Sequence, residues 1–136
     1  MVQKTTPEES KAERVEPQET KAYKRLKANL TTNLVWVYIL RLLQKRDACY
    51  GYELKRQLKE EYDIPLATVT SYVVLYKLES EGLVESIKTD EKPERPVRGR
   101  PTRKYYQITD LGTSLLEEAK EYIQLTYKNV FEEEID

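Results

Sequence analysis

The sequence predicts a mainly α-helical, α+β fold: three helices, a two-stranded hairpin and one long closing helix. Three observations carry this expectation. Apolar residues recur at helical spacing through 34–46, 51–62 and 66–81. Two short alternating segments, 83–88 and 103–108, flank a charged stretch holding Pro93, Pro96, Gly99 and Pro101, which is the pattern of a hairpin. Beyond them Leu111, Leu115, Ala119, Tyr122, Leu125 and Val130 form a seam at helical spacing.

Taken in order, residues 1 to 20 hold Thr, Pro, Glu, Lys and Gln with almost nothing to bury, and read as disordered. Lys21, Lys24, Arg25 and Lys27 then follow without an acidic neighbour. They fit either a solvated lead-in helix or a basic arm touching phosphate, so 1–30 is a charged arm, disordered or partly helical. Thr31, Thr32 or Asn33 is positioned to cap the first core helix, which ends near Arg46. Trp36 and Val37 widen its apolar surface beyond one stripe, so this helix calls for burial against its own core and a second subunit. The second helix, 51–62, spaces Leu54, Leu58 and Tyr62 by four, and Asp63-Ile64-Pro65 ends it because proline cannot continue the hydrogen-bond ladder.

The third helix, 66–81, stops at Gly82, a favourable residue just past a helix end. Its Val69, Tyr72, Leu75 and Leu78 are expected to face inward, with Thr70, Val73 and Lys77 pointing away. Of Tyr105 and Tyr106, on opposite faces of the returning strand, one is expected in the core. Thr109 or Asp110 caps the last helix, which reaches about residue 131 and is roughly 33 Å long at about 1.5 Å per residue. That is too long to cover so small a domain alone. Its seam therefore reads as a dimerisation surface, made by Leu115, Ala119, Tyr122 and Leu125 together with Trp36. The chain divides into the arm (1–30), a central domain (31–108) and a dimerisation helix with an acidic tail (109–136).

Composition excludes several kinds of chemistry. With 136 residues, 23 basic and 24 acidic, the chain carries a net charge of −1, so nucleic acid can be attracted only by a local basic patch. There is no histidine and one cysteine, Cys49, which rules out a Cys/His metal site within one chain and a histidine general base. No glycine-rich phosphate loop or nucleophile with a visible base is present, so neither an enzyme nor a cofactor is implied. Cys49 is expected to be a small buried residue in a reducing compartment. The longest apolar run, 34–40, cannot span a bilayer, and the charged start lacks the apolar core of a signal peptide. The expectation is a soluble, cytoplasmic protein with no membrane partner.

Helix, helix, helix, strand, basic loop, strand, long helix is the layout of a winged helix-turn-helix domain with an added helix. In such domains the second helix of the pair enters the major groove of double-stranded DNA with its early residues toward base edges. Here Thr68, Thr70 and Ser71 are suited to donate to phosphates or bases, Val73 to touch a thymine methyl, and Lys77 to reach the backbone. Arg95, Arg98, Arg100, Arg103 and Lys104 cluster where the wing belongs, with Glu94 the only near acid. At a protruding tip they would neutralise phosphate or enter the minor groove.

Three blocks carry a family resemblance: Tyr50-Gly51-Tyr52-Glu53-Leu54, then the run from Tyr72 to Val84, then the run from Gly99 to Gly112 with Arg103-Lys104-Tyr105-Tyr106 leading into Thr109-x-x-Gly112. Over roughly residues 32 to 130 the chain resembles the PadR family of winged-helix transcriptional regulators, in its shorter form with a single C-terminal helix. The resemblance implies a homodimer that represses transcription at an operator. Val69 and Ser71 depart from the family pattern, which often has a small residue at the first position and an apolar one at the second. The family's operator therefore does not carry over. A small-molecule effector is not indicated: Trp36 and the tyrosines read as packing before they read as an apolar pocket.

The leading expectation is a dimeric, sequence-specific regulator reading a pseudo-palindrome. An architectural DNA-binding protein would want a more basic surface, and a winged helix used only for protein contacts would not want an arginine-rich loop.

Overall fold

The computed structural model describes residues 14–88 and 104–132, in two units divided between Leu34 and Val35. In the first unit a 3-10 turn at Pro17–Glu19 precedes helix α1, Lys21–Leu30. The hydroxyl of Thr20 caps α1 by accepting from Tyr23 N at 3.1 Å. At the other end the hydroxyls of Thr31 and Thr32 donate to the carbonyls of Lys27 (2.6 Å) and Ala28 (3.1 Å). The lead-in is therefore helical from Lys21, and none of its residues is buried. Residues 1–13, the larger part of the segment expected to be disordered, lie outside the described residues.

The polar run expected to cap the next helix instead faces back. Asn33 Nδ2 donates to Asn29 Oδ1 at 2.7 Å, and Thr32–Leu34 forms a 3-10 turn. Helix α2 accordingly spans Val35–Arg46 and buries Val35, Ile39, Leu40, Leu42 and Leu43, with Trp36, Val37 and Tyr38 packed half-buried at the core edge. After a short strand β1, Cys49–Tyr50, helix α3 runs Gly51–Tyr62, where Tyr50 N donates to Glu53 Oε1 at 3.1 Å. It ends at Asp63, whose N–H bonds the Lys59 carbonyl at 3.1 Å and whose left-handed φ of 54° turns the following Ile64 N–H onto the Leu58 carbonyl at 3.1 Å. Ile64 then drops into the core.

Helix α4 spans Thr68–Ser80, two residues later at its start than the sequence pattern suggested. It ends in a Schellman turn: Leu83 N bonds Leu78 O at 2.9 Å, Gly82 N bonds Glu79 O at 3.0 Å, and Gly82 sits at φ +77°. Strands β2 (Val84–Lys88) and β3 (Lys104–Ile108) pair antiparallel in the register Val84↔Ile108 to Lys88↔Lys104. β1 joins the far side of β3 through Cys49↔Tyr106 and Tyr50↔Tyr105, so the two expected strands pair as expected and gain a third, giving the order β1-β3-β2. Tyr106 and Cys49 are buried, while Tyr105 stays half-buried and stacks on Tyr50 with ring centroids 3.7 Å apart.

Helix α5, Asp110–Phe131, begins at a junction built on Thr109. The Thr109 hydroxyl donates to Gly82 O (2.6 Å) and accepts from Gly112 N (3.0 Å), while Thr109 N donates to Leu83 O (3.1 Å). Gly112 is required here, since a Cβ would lie 2.2 Å from the Leu83 carbonyl oxygen. The first part of α5 rests on the core through Leu115 and Leu116, and every residue from Lys120 to Glu132 is exposed. No helix among the described residues is long and apolar enough to cross a membrane.

Candidate nucleic-acid interface

Helices α3 and α4, joined by residues 63–67, form the helix-turn-helix, and the core decides which side of α4 remains available. Ser71, Leu75 and Leu78 are the buried residues of α4. This corrects the expected orientation at three positions. Ser71 is only 1% exposed, and its hydroxyl donates to the Thr68 carbonyl at 2.8 Å, so it cannot reach DNA. Its small, internally satisfied side chain continues the Leu75 and Leu78 stripe one turn earlier. Val69, expected inside, is 75% exposed, and Tyr72 is 43% exposed. Tyr72 still packs along one edge, with Cε1 3.0 Å from where a Cβ on Gly51 would stand.

Thr68, Thr70, Val73 and Lys77 are all exposed, as is Tyr76. With successive residues turned by about 100°, Val69, Val73 and Tyr76 form the centre of the outer face, and Thr70 and Lys77 flank them. Thr68 is tied to the preceding helix, since Lys55 Nζ donates to its hydroxyl at 2.9 Å. Lys55 does not stand out in the sequence. Its signal is its place on the first helix of the pair, the one that crosses the phosphate backbone in this class of domain. Val69 and Tyr76 escape sequence reasoning for a different reason: an apolar residue in a helix is ordinarily read as core.

Lys104 stands exposed at the start of β3, at the root of the wing. Arg95, Arg98, Arg100 and Arg103 lie outside the described residues. The residues expected to make the dimer fall into two groups. Trp36 and Leu115 are half-buried against the chain's own core, and Ala119 is half-buried one helical turn beyond Leu115. Tyr122 and Leu125 are exposed on the outer part of α5, where Ile123, Tyr127, Val130 and Phe131 are exposed as well. Between α2, α3 and α5 lies a groove of 510 Å³ lined by Val37, Tyr38, Tyr62, Leu116 and Ile123 among others.

Two titrating groups show how the scaffold is held. Glu61 of α3 pairs with Arg46 and, at 3.3 Å, with Lys45 at the end of α2. The hydrogen bond from Arg46 holds its carboxyl below the ordinary range. Burial pushes the Cys49 thiol up, and Sγ makes a weak contact, donating to Gln57 Oε1 at 3.8 Å. No group of three or more His, Cys, Asp or Glu residues that could hold a metal exists among the described residues.

Comparison with known proteins agrees with this architecture. Residues 39–118 match the model of the transcriptional regulator PadR-like family. A PadR family regulator from Eggerthella lenta is 28% identical, with a TM-score of 0.58 over 82% of this chain and 94% of its own. One from Clostridium difficile is 30% identical, with a TM-score of 0.56 over 71% and 96%. An uncharacterized protein of Lysinibacillus sphaericus is 32% identical over 90 residues, 64% of this chain and 76% of its own. The winged helix-turn-helix, the long closing helix and the family match together identify a DNA-binding regulator of transcription and not an enzyme: the chain belongs to the PadR-like family of transcriptional regulators.

Proposed function

We propose that the chain acts as a homodimer that represses transcription by occupying a pseudo-palindromic operator. The α4 helix of each copy enters the major groove, and the arginines of 95–103 with Lys104 meet the backbone or the minor groove. The observation that carries this reading is the outer side of α4, which is fully available along Val69, Thr70, Val73, Tyr76 and Lys77 while its opposite side is locked into the core. The exposed apolar residues of outer α5 support the dimer, because a helix bearing Tyr122 at 72% exposure, with Leu125 and Val130 beside it, calls for a covering surface. Two-fold related α4 helices would then address half-sites about one helical turn apart, roughly 34 Å. Repression is the role that the resemblance to the family implies.

The testing experiment is binding to the DNA immediately upstream of the protein's own gene, against a shuffled duplex, across a salt series, with a reporter read in parallel. The expected result is a preference that survives added salt and a reporter that falls when the protein is present. Equal and steeply salt-sensitive binding to both duplexes would instead assign an architectural role.

A further inference from the structure

The outer face of α4 is unusual for a helix that reads base edges, because it offers almost no hydrogen-bonding fork. Bidentate recognition of guanine uses Arg or Lys, and that of adenine uses Asn or Gln. Between Thr68 and Ser80 there is no Arg, Asn or Gln. The single cation, Lys77, sits past the middle of the helix, whereas base edges are met by the early residues, so Lys77 falls to the phosphates. The early outer face holds Val69 and Val73, 75% and 45% exposed, followed by Tyr76 at 73%. Core packing explains none of these three, since the buried side of α4 is already filled by Ser71, Leu75 and Leu78.

Exposed branched apolar side chains one turn apart match one feature of the major groove, the 5-methyl group of thymine. We infer that this regulator selects its half-sites chiefly by thymine methyl groups packed against Val69 and Val73, with Tyr76 closing the apolar strip. The inference rests on the reading of α4 as the helix that enters the major groove. Val69 and Val73 are then specificity-determining residues: they discriminate sequences and contribute little to the salt-dependent attraction for phosphate.

The test has two steps on the full chain. Duplexes are first selected from a random-sequence library. Each thymine of the enriched half-site is then replaced in turn by deoxyuridine, which removes only the methyl and keeps the base pair. Expected are one or two positions per half-site where the replacement weakens binding by about fourfold, the value of burying one methyl-sized group. Val69→Ala and Val73→Ala should each abolish the penalty at one of those positions while leaving the salt slope unchanged. Both side chains are exposed, so both variants are expected to fold, and circular dichroism verifies it. Selection of a clear sequence in which every thymine tolerates uracil, or a penalty that persists in both alanine variants, overturns the methyl readout and leaves the operator-binding reading standing. Enrichment of no sequence at all overturns both.

Discussion

At the scale of single residues, three buried positions set measurable limits on the fold. Gly112 lies against the Leu83 backbone, where a Cβ would meet the carbonyl oxygen at 2.2 Å and Ile108 Cγ1 at 2.8 Å. Gly112→Ala is expected to cost about 1–3 kcal/mol in a urea titration, because backbone has to move to admit the methyl. Cys49 and Tyr106 pair across β1 and β3, and burial raises the pKa of both above the ordinary values of 9.0 and 10.0. Folding therefore favours their protonated forms. Stability should be fully present below the ordinary thiol value and decline as pH rises through it toward the raised native value. Urea midpoints between about pH 7 and 10 check this: Cys49→Ala should flatten the first part of the decline, and an unchanged curve would refute the assignment. The residue scale is also where the sequence is hardest to read. Apolar residues lie on both sides of α4, so Val69 looks like core and Ser71 like surface. The tertiary context inverts them because Ser71 satisfies its hydroxyl on Thr68 within the same turn.

At the scale of elements, the pattern is far more legible. The second helix, expected at 51–62, stands there, and Gly82 and Thr109 mark their helix ends as expected, because caps and left-handed stops are written in local chemistry. β1 is not legible. Two residues cannot display an alternation, and the strand exists only because β3 offers it a free edge. The helical start of α2 is misplaced for a related reason, since Thr31, Thr32 and Asn33 have two possible partners and bond back toward α1. The wing carries its own prediction. Arg100→Ala with Arg103→Ala should weaken binding to every duplex alike and reduce the slope of log affinity against log salt by about one for each phosphate no longer neutralised. A change in base preference without a change in slope would move these arginines from backbone to bases.

At the scale of the whole molecule, the helices, the wing and the functional class follow from element order and a basic cluster in a chain of otherwise balanced charge. The partner surface is less sharply written, because one seam along the last helix serves two purposes. Leu115, with Leu116 beside it, packs against the chain's own core, whereas Leu111 at its start and the outer part from Tyr122 onward are left uncovered. Tyr122→Glu together with Leu125→Glu should therefore convert the proposed dimer to a monomer in sedimentation. Affinity for a two-half-site duplex should fall by at least about tenfold, while circular dichroism shows the parent's helical content retained. Trp36→Ala is expected to lower stability instead, since Trp36 packs at the edge of the same core.

Thr109 ties three things within one residue: the end of α4, the start of β2 and the first turn of α5. The helix proposed to read DNA and the helix proposed to hold the partner are thus geared together without a slack linker between them. Such a dimer behaves as a caliper with a fixed opening. One base pair added between the half-sites moves them about 3.4 Å farther apart along the duplex axis and rotates one against the other by about a tenth of a turn, and a geared pair has no joint in which to absorb either. Affinity should drop toward that of a single half-site for one added or removed base pair and stay there when a full turn of about 10 base pairs is inserted, because the turn restores the facing but adds roughly 34 Å of separation. Equal binding across those spacings would mean that the junction at Thr109 yields.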